Sequence, residues 1–174
     1  MVVGSLAFRL TVVAFVALAL APAAPAASAA EIDTLGRFRD WNAYRTVADG
    51  NRLCYMVGEP KKAEGKYARR GKIYAFVTHR PAAKRLDEVS FDAGYTFKTG
   101  SEIKVVIAKK SFTLTPRENT AWATDDKAMI AAMKAGTSMV VRGVSSRGTN
   151  TKDTYSLLGF TAAYNAIGKA CGLK

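Results

Sequence analysis

The sequence has few histidines and cysteines, the side chains from which structural zinc sites are built. Its 174 residues include one histidine and two cysteines. A structural zinc site needs about four Cys or His ligands in local pairs, and His79, Cys54 and Cys171 are too few and too far apart for that. We therefore predict no metal site, no cofactor and no catalytic residues.

Only one long apolar run is present, and it lies near the start of the chain. Residues 10–20 are apolar except for Thr11, and they lead into a stretch of Ala and Pro that ends in small residues. This succession is typical of a Sec-type signal peptide, and the run is shorter than the roughly 20 residues that a membrane helix needs. We predict that residues 1–30 are a leader cleaved after Ala29 or Ala30. The mature protein would then have no transmembrane segment and would be periplasmic, with secretion or outer-membrane association as alternatives.

Acidic residues are scarce relative to basic ones. Asp and Glu number 14 against 26 Lys and Arg, which gives a formal net charge of +12, and the leader carries one of these cations. A charge this high favours anionic partners and opposes self-association. A basic surface that is merely solvated is the alternative. Nucleic acid is not expected as a partner of an exported protein.

The two cysteines allow one intramolecular bridge. In an oxidising compartment we expect Cys54 and Cys171 to form it, and two buried free thiols are the alternative. In the last helical segment, Phe160, Ala163, Ile167 and Cys171 recur on one face, so Cys171 is expected on the buried side.

Short apolar stretches that alternate with turn residues predict a mainly β protein. Strands are expected at 38–44, 53–57, 73–78, 89–97, 103–107, 112–116, 139–144 and 154–158, and short helices at 126–135 and 161–171. We expect residues 31–174 to form a single domain. The predicted architecture is an antiparallel β-sandwich or closed sheet, with the two helices covering an end or a face.

The polar segment 59–72 is interpreted as a loop with a concentration of cations. Arginine forks hold two carboxylate or phosphate oxygens at once, so a site for anionic envelope or host components is predicted here. Arg69 and Arg70 are expected to be its main contacts, and a mobile solvated loop is the alternative. The candidate ligand-binding residues are Lys61, Lys62, Lys66, Arg69, Arg70 and Lys72.

A second polar group surrounds the turn at 145–150. Arg142, Arg147 and Asp153 flank this turn, and we predict that they fix its shape through hydrogen bonds. A polar binding site at the tip of the loop is the alternative.

His79 is the one candidate for a general base. Ser90, Asp87 and Glu88 are close to it in sequence, but a base also needs its nucleophile and an orienting acid within reach in space. We interpret His79 as the end of a strand that enters a turn.

Two stretches of the chain resemble a known family. The stronger one is Ser156-Leu157-Leu158-Gly159-Phe160-Thr161-Ala162-Ala163, which continues the segment from Gly143, and the other is Trp41 followed by Cys54. Together they resemble the invasion-associated locus B family of exported bacterial proteins. The resemblance implies a periplasmic or secreted β-rich domain and no known reaction. Many members have a cysteine just after the first Trp, where this chain has residues 42–44, so a different disulfide pattern is implied.

These observations together predict a non-enzymatic exported binding protein that contacts anionic envelope or host components. An envelope hydrolase with an unrecognised site and a structural envelope factor without a small ligand are the alternatives.

Overall fold

The computed structural model describes residues 31–173; the predicted leader, 1–30, lies outside the described residues. They form eleven strands and two α-helices, with a short 3-10 turn at Pro81–Ala83. The strands are β1 (Ile32–Phe38), β2 (Trp41–Ala48), β3 (Asn51–Gly58), β4 (Lys62–Glu64), β5 (Tyr74–Arg80), β6 (Arg85–Asp92), β7 (Ile103–Ile107), β8 (Lys110–Arg117), β9 (Thr120–Ala123), β10 (Ser138–Val144) and β11 (Asn150–Ser156). The helices are α1 (Asp126–Ala135) and α2 (Phe160–Ala170).

All eleven strands belong to one antiparallel sheet. Their order is β1-β2-β3-β5-β6-β9-β8-β7-β10-β11-β4, so β1 and β4 form its two edges. The prediction of a mainly β, antiparallel architecture with two short helices is confirmed. The closed alternative is wrong, because no strand ladder joins β1 to β4.

The sheet folds over on itself around an apolar core. The rings of Phe91 in β6 and Tyr155 in β11 meet edge to face with centroids 6.1 Å apart, although the two strands are far apart in the strand order. Trp41 is fully buried, packs edge to face on Phe160 at 5.0 Å, and donates from Nε1 to the carbonyl oxygen of Ser156. Side chains, rather than a ladder, therefore bring the two ends of the sheet together.

Helix α1 has the bounds that its sequence predicts. The Asp125 side chain caps the helix by accepting a hydrogen bond from the backbone NH of Ala128. Such a cap satisfies one of the orphan NH groups at a helix start. Asp126 accepts from the backbone NH of Val89, which fixes the helix to β6.

Helix α2 is held against the sheet by the disulfide. Cys54 in β3 and Cys171 at the end of α2 are bonded, as predicted, and both are buried. Phe160 and Ile167 are fully buried on the same helical face. Among residues 31–173, neither helix is both long enough and apolar enough to cross a bilayer.

Three predicted elements differ in the structure. The strand expected at 38–44 is two strands, because Arg39 adopts a left-handed conformation (φ 56°) that turns the chain between β1 and β2. The strand expected at 89–97 ends at Asp92, and Gly94 (φ 68°) turns the chain there. The loop expected at 59–72 contains β4, which pairs with β11 and thus fixes the first part of this segment to the sheet.

Candidate functional site

A cleft lies between segment 66–71 and the turn at 145–149. Its volume is about 830 Å³. The first wall comes from the basic segment and the second from the turn between β10 and β11, so two predicted sites meet in one place. Its lining includes Lys66, Tyr67, Arg69, Thr96, Arg147 and Thr149.

Arg70 forms the floor of this cleft and is not on an exposed loop. Its guanidinium makes a bidentate pair with Asp153, with Nη1 and Nη2 at 2.7 and 2.6 Å from the two carboxylate oxygens. The side chains are 3% and 5% exposed, and Nε donates to the carbonyl oxygen of Ala93 at 2.7 Å. Burial alone would lower the pKa of Arg70, but the hydrogen bonds and charge of Asp153 outweigh it and raise that pKa. Arg70, one of the two expected main contacts, is thus ion-paired beneath the cleft, whereas Arg69 is exposed.

Two tyrosine rings flank the guanidinium of Arg70. It lies 4.9 Å from the ring centre of Tyr95 and 5.4 Å from that of Tyr67, within the range of cation–π attraction. The Tyr95 hydroxyl lies 2.6 Å from Oγ1 of Thr151, which donates to the carbonyl oxygen of Gly143. Burial raises the pKa of Tyr95. The floor is therefore a connected polar network with little freedom to move.

Gly94 allows segment 66–71 to approach this floor closely. It adopts φ 68°, and a Cβ atom on it would lie 2.5 Å from the carbonyl oxygen of Gly71. The backbone NH of Gly71 donates to the carbonyl oxygen of Gly94 at 2.9 Å. Any side chain at position 94 would thus push the basic segment away from the sheet.

Three exposed cations surround the mouth of the cleft. Lys66 and Arg69 extend from the first wall and Arg147 from the second. Within residues 31–173, no Asp or Glu makes an ion pair with any of the three. Because Asp153 neutralises Arg70 from below, the charge that the cleft offers to solvent comes from these three side chains.

The turn that carries Arg147 is held by its own hydrogen bonds. The backbone NH of Gly148 donates to the carbonyl oxygen of Ser145, and Oγ of Ser145 accepts from the backbone NH of Thr149. The NH of Ser146 donates to the carbonyl oxygen of Thr96, which attaches the turn to the segment after β6.

The remaining candidate cations lie elsewhere. Lys61 pairs with Asp40 at 2.5 Å, and this hydrogen bond lowers the pKa of the carboxyl group. Lys62 pairs with Glu64 in β4. Lys72 lies beside the cleft, in a smaller one that also includes Gly71.

Of the three residues predicted to shape the turn, the structure brings only Arg147 to the cleft wall. Asp153 pairs with Arg70 rather than with an arginine of its own hairpin. Arg142 lies midway along β10, opposite Lys104 and Lys152 on the neighbouring strands. Tyr95 and Thr96 also line this cleft, and no local sequence pattern marks them as part of the site, because they come from a different part of the chain.

His79 occupies a buried position beside the disulfide. It is 0% exposed, its Nδ1 accepts from the backbone NH of Asp87 at 3.1 Å, and its ring meets that of Tyr164 edge to face at 5.6 Å. The Tyr164 hydroxyl donates to the carboxylate of Asp87 at 2.5 Å. An imidazole enclosed in this way cannot reach a substrate in solution. Within the described part of the chain, no group of three His, Cys, Asp or Glu residues is placed to hold a metal.

A family model described as invasion associated locus B (IalB) protein matches residues 41–168, which is more than half of the chain. The chain belongs to the IalB family. This match confirms the resemblance noted in the sequence and covers both walls of the cleft.

One solved structure shows the same fold as this IalB family member. It is the crystal structure of invasion associated protein B from Bartonella henselae, with a TM-score of 0.54 and 14% sequence identity. The alignment covers 82% of this chain and 98% of the other. The comparison with curated proteins found no match.

The buried histidine predicts a loss of stability of this IalB family member in mild acid. Burial lowers the pKa of His79 below its ordinary value of 6.5; the charge of Asp87 opposes this shift and that of Lys134 adds to it. His79 therefore has a lower pKa in the folded chain than in the unfolded chain. At a pH between these two values, the unfolded chain binds more protons than the folded one. The free energy of unfolding should therefore fall as the pH drops below about 6.5, by at most about 1.4 kcal/mol per pH unit for this group.

Urea unfolding at pH 5.0 to 7.5 measures this dependence, with His79→Asn as the comparison, because Asn does not titrate and can still accept a hydrogen bond. The wild type should lose stability more steeply than the variant. Equal slopes for the two proteins would show that His79 does not carry the effect.

Proposed function

We propose that this protein is an exported, non-enzymatic binding protein that contacts anionic envelope or host components through the cleft. The observation that carries the proposal is the set of three exposed cations, Lys66, Arg69 and Arg147, at the mouth of the cleft, without a paired carboxylate among residues 31–173. Charge-assisted hydrogen bonds from such groups to carboxylate, sulfate or phosphate oxygens are the strongest that side chains make.

The geometry of the floor supports binding without large rearrangement. Arg70 is buried beneath the cleft and makes three hydrogen bonds to Asp153 and Ala93, so its role is to hold both walls in place rather than to touch the ligand. A site that is formed in advance loses less conformational entropy when its ligand binds. Arg69 and Arg147, with free fork geometry, are the proposed ligand contacts in place of Arg70.

The proposal includes export from the cytoplasm. The leader at 1–30 would direct the chain out of the cytoplasm, and the bond between Cys54 and Cys171 fits an oxidising compartment. We propose a periplasmic location, in which anionic lipids and glycans are the available partners.

We predict that binding to bacterial envelope depends on the cleft and not on net charge alone. The double variant Arg69→Ala/Arg147→Ala removes two cations from the mouth, and Lys109→Ala/Lys110→Ala removes two exposed cations, one in the turn after β7 and one at the start of β8. Affinity should fall about tenfold or more in the first variant and less than about twofold in the second.

Co-sedimentation of the periplasmically purified protein with envelope vesicles measures this difference at 50 to 300 mM salt. Binding of the wild-type protein to the vesicles should weaken as the salt concentration rises, because the contacts are partly exposed. An equal loss in both variants would attribute binding to overall charge and contradict the proposal, and so would binding that salt does not affect.

A further inference from the structure

We propose that the cleft is the centre of a continuous basic trench that holds an extended acidic polysaccharide. This inference rests on the proposed function and assigns the class of ligand. It goes beyond a single anion site because two further clefts share lining residues with the first.

The adjoining clefts share residues with the central one. One, of about 330 Å³, is lined by Lys66, Arg147 and Thr149, all of which also line the central cleft. The other, of about 290 Å³, shares Gly71 with the central cleft and adds Lys72, together with the exposed carboxylate of Glu59. Because each smaller cleft shares lining residues with the central one, a long ligand in the central cleft would extend into both.

Cations recur along this trench. Lys66, Arg69 and Lys72 are three residues apart in sequence, so neighbouring members of the series are separated by at most about 10 Å along the backbone. Arg147 faces them from the second wall. Several cations along one segment match a polymer that repeats its negative charge, whereas a lone phosphate would use only one or two of them.

The remaining lining is suited to sugar rather than to a membrane. Thr96, Ser146 and Thr149 bring hydroxyl groups that can donate to and accept from sugar hydroxyls. Of the large exposed apolar side chains among the described residues, only Tyr67 lines the cleft; the others are Ile32, Val47, Leu86 and Leu158. Membrane attachment needs apolar area beside the cationic residues, and the trench offers little of it.

The test is a comparison of chain lengths. Isothermal titration calorimetry at 50 mM salt would measure the binding of digalacturonate, octagalacturonate and a neutral galactose octamer. Octagalacturonate should bind at least about tenfold more tightly than digalacturonate, because only the longer chain reaches all of the cations, and the neutral octamer should not bind.

Two variants locate the ligand in the trench. Lys72→Ala removes a cation from one end, so it should weaken octagalacturonate severalfold and leave digalacturonate unchanged. Lys109→Ala/Lys110→Ala, outside the trench, should change neither ligand by more than about twofold.

The outcomes separate this inference from the proposed function. Equal affinity for digalacturonate and octagalacturonate would overturn the polysaccharide assignment. So would an oligothymidylate of the same charge that binds as tightly as octagalacturonate. Binding to phosphatidylglycerol vesicles that depends on Arg147, without binding to octagalacturonate, would overturn this inference and leave the proposed function standing. If envelope, vesicles and glycans all fail to bind, both proposals are wrong.

Discussion

Replacing Arg70 with Ala is expected to lower the free energy of unfolding by about 3–5 kcal/mol, whereas Arg69→Ala should change it by less than about 0.5 kcal/mol. The two arginines are adjacent in sequence and differ mainly in surroundings. Arg70 is almost wholly buried against Asp153, and Arg69 is exposed.

The large loss of stability in Arg70→Ala arises from Asp153, the partner that remains buried. Without Arg70, the carboxylate of Asp153 would stay in the interior of the fold with its main donors removed. An uncompensated buried charge is more costly than the intact pair is stabilising. The carbonyl oxygen of Ala93 would lose its donor as well, and the rings of Tyr67 and Tyr95 would lose the guanidinium between them.

Equilibrium unfolding in urea, followed by circular dichroism, measures both single variants. Asp153→Ala should also be strongly destabilising, since it leaves the Arg70 charge unpaired. The double variant Arg70→Ala/Asp153→Ala should cost less than the sum of the two single variants, because it removes both charges together. If Arg70→Ala were as stable as Arg69→Ala, the buried pair would not be part of the folded structure in solution.

Local chemistry made some elements of this fold predictable. Asp125 and Asp126 at the start of α1 and Gly136 at its end mark the helix within the sequence itself. The apolar face of α2 likewise places Cys171 on the buried side, where its partner lies. In each case the residues that decide the structure are neighbours along the chain, so the pattern can be read without knowledge of the fold.

The candidate site depends on contacts that no local pattern encodes. Arg70 and Asp153 are separated by 83 residues, and Tyr95 meets Thr151 across 56 residues. Most arginines are exposed, and nothing near Arg70 in the sequence indicates otherwise. Only the folded chain shows that Arg70 is buried in an ion pair with Asp153. The left-handed turn at Arg39 was also missed, because it uses neither Gly nor Pro.

Loss of the disulfide is expected to lower the free energy of unfolding by about 2–5 kcal/mol. Cys54 and Cys171 are 117 residues apart, so the bond restricts most of the unfolded mature chain. In the chain-entropy model a loop of this length contributes close to 5 kcal/mol, and measured values are often smaller. Cys54→Ala/Cys171→Ala removes the bond, and urea unfolding of the oxidised wild type, the reduced wild type and this variant measures its contribution.

The end of α2 should respond first when the bond is lost. Phe160 and Ile167 are packed in the core independently of the bond, whereas the disulfide attaches the last turn, at Cys171, directly to β3. Amide exchange should therefore accelerate at 168–173 under reducing conditions before the sheet is affected. Non-reducing mass spectrometry should find the oxidised chain lighter by two hydrogens. If both thiols of the purified protein react with an alkylating reagent without prior reduction, the bond is absent and the expected difference in stability disappears with it.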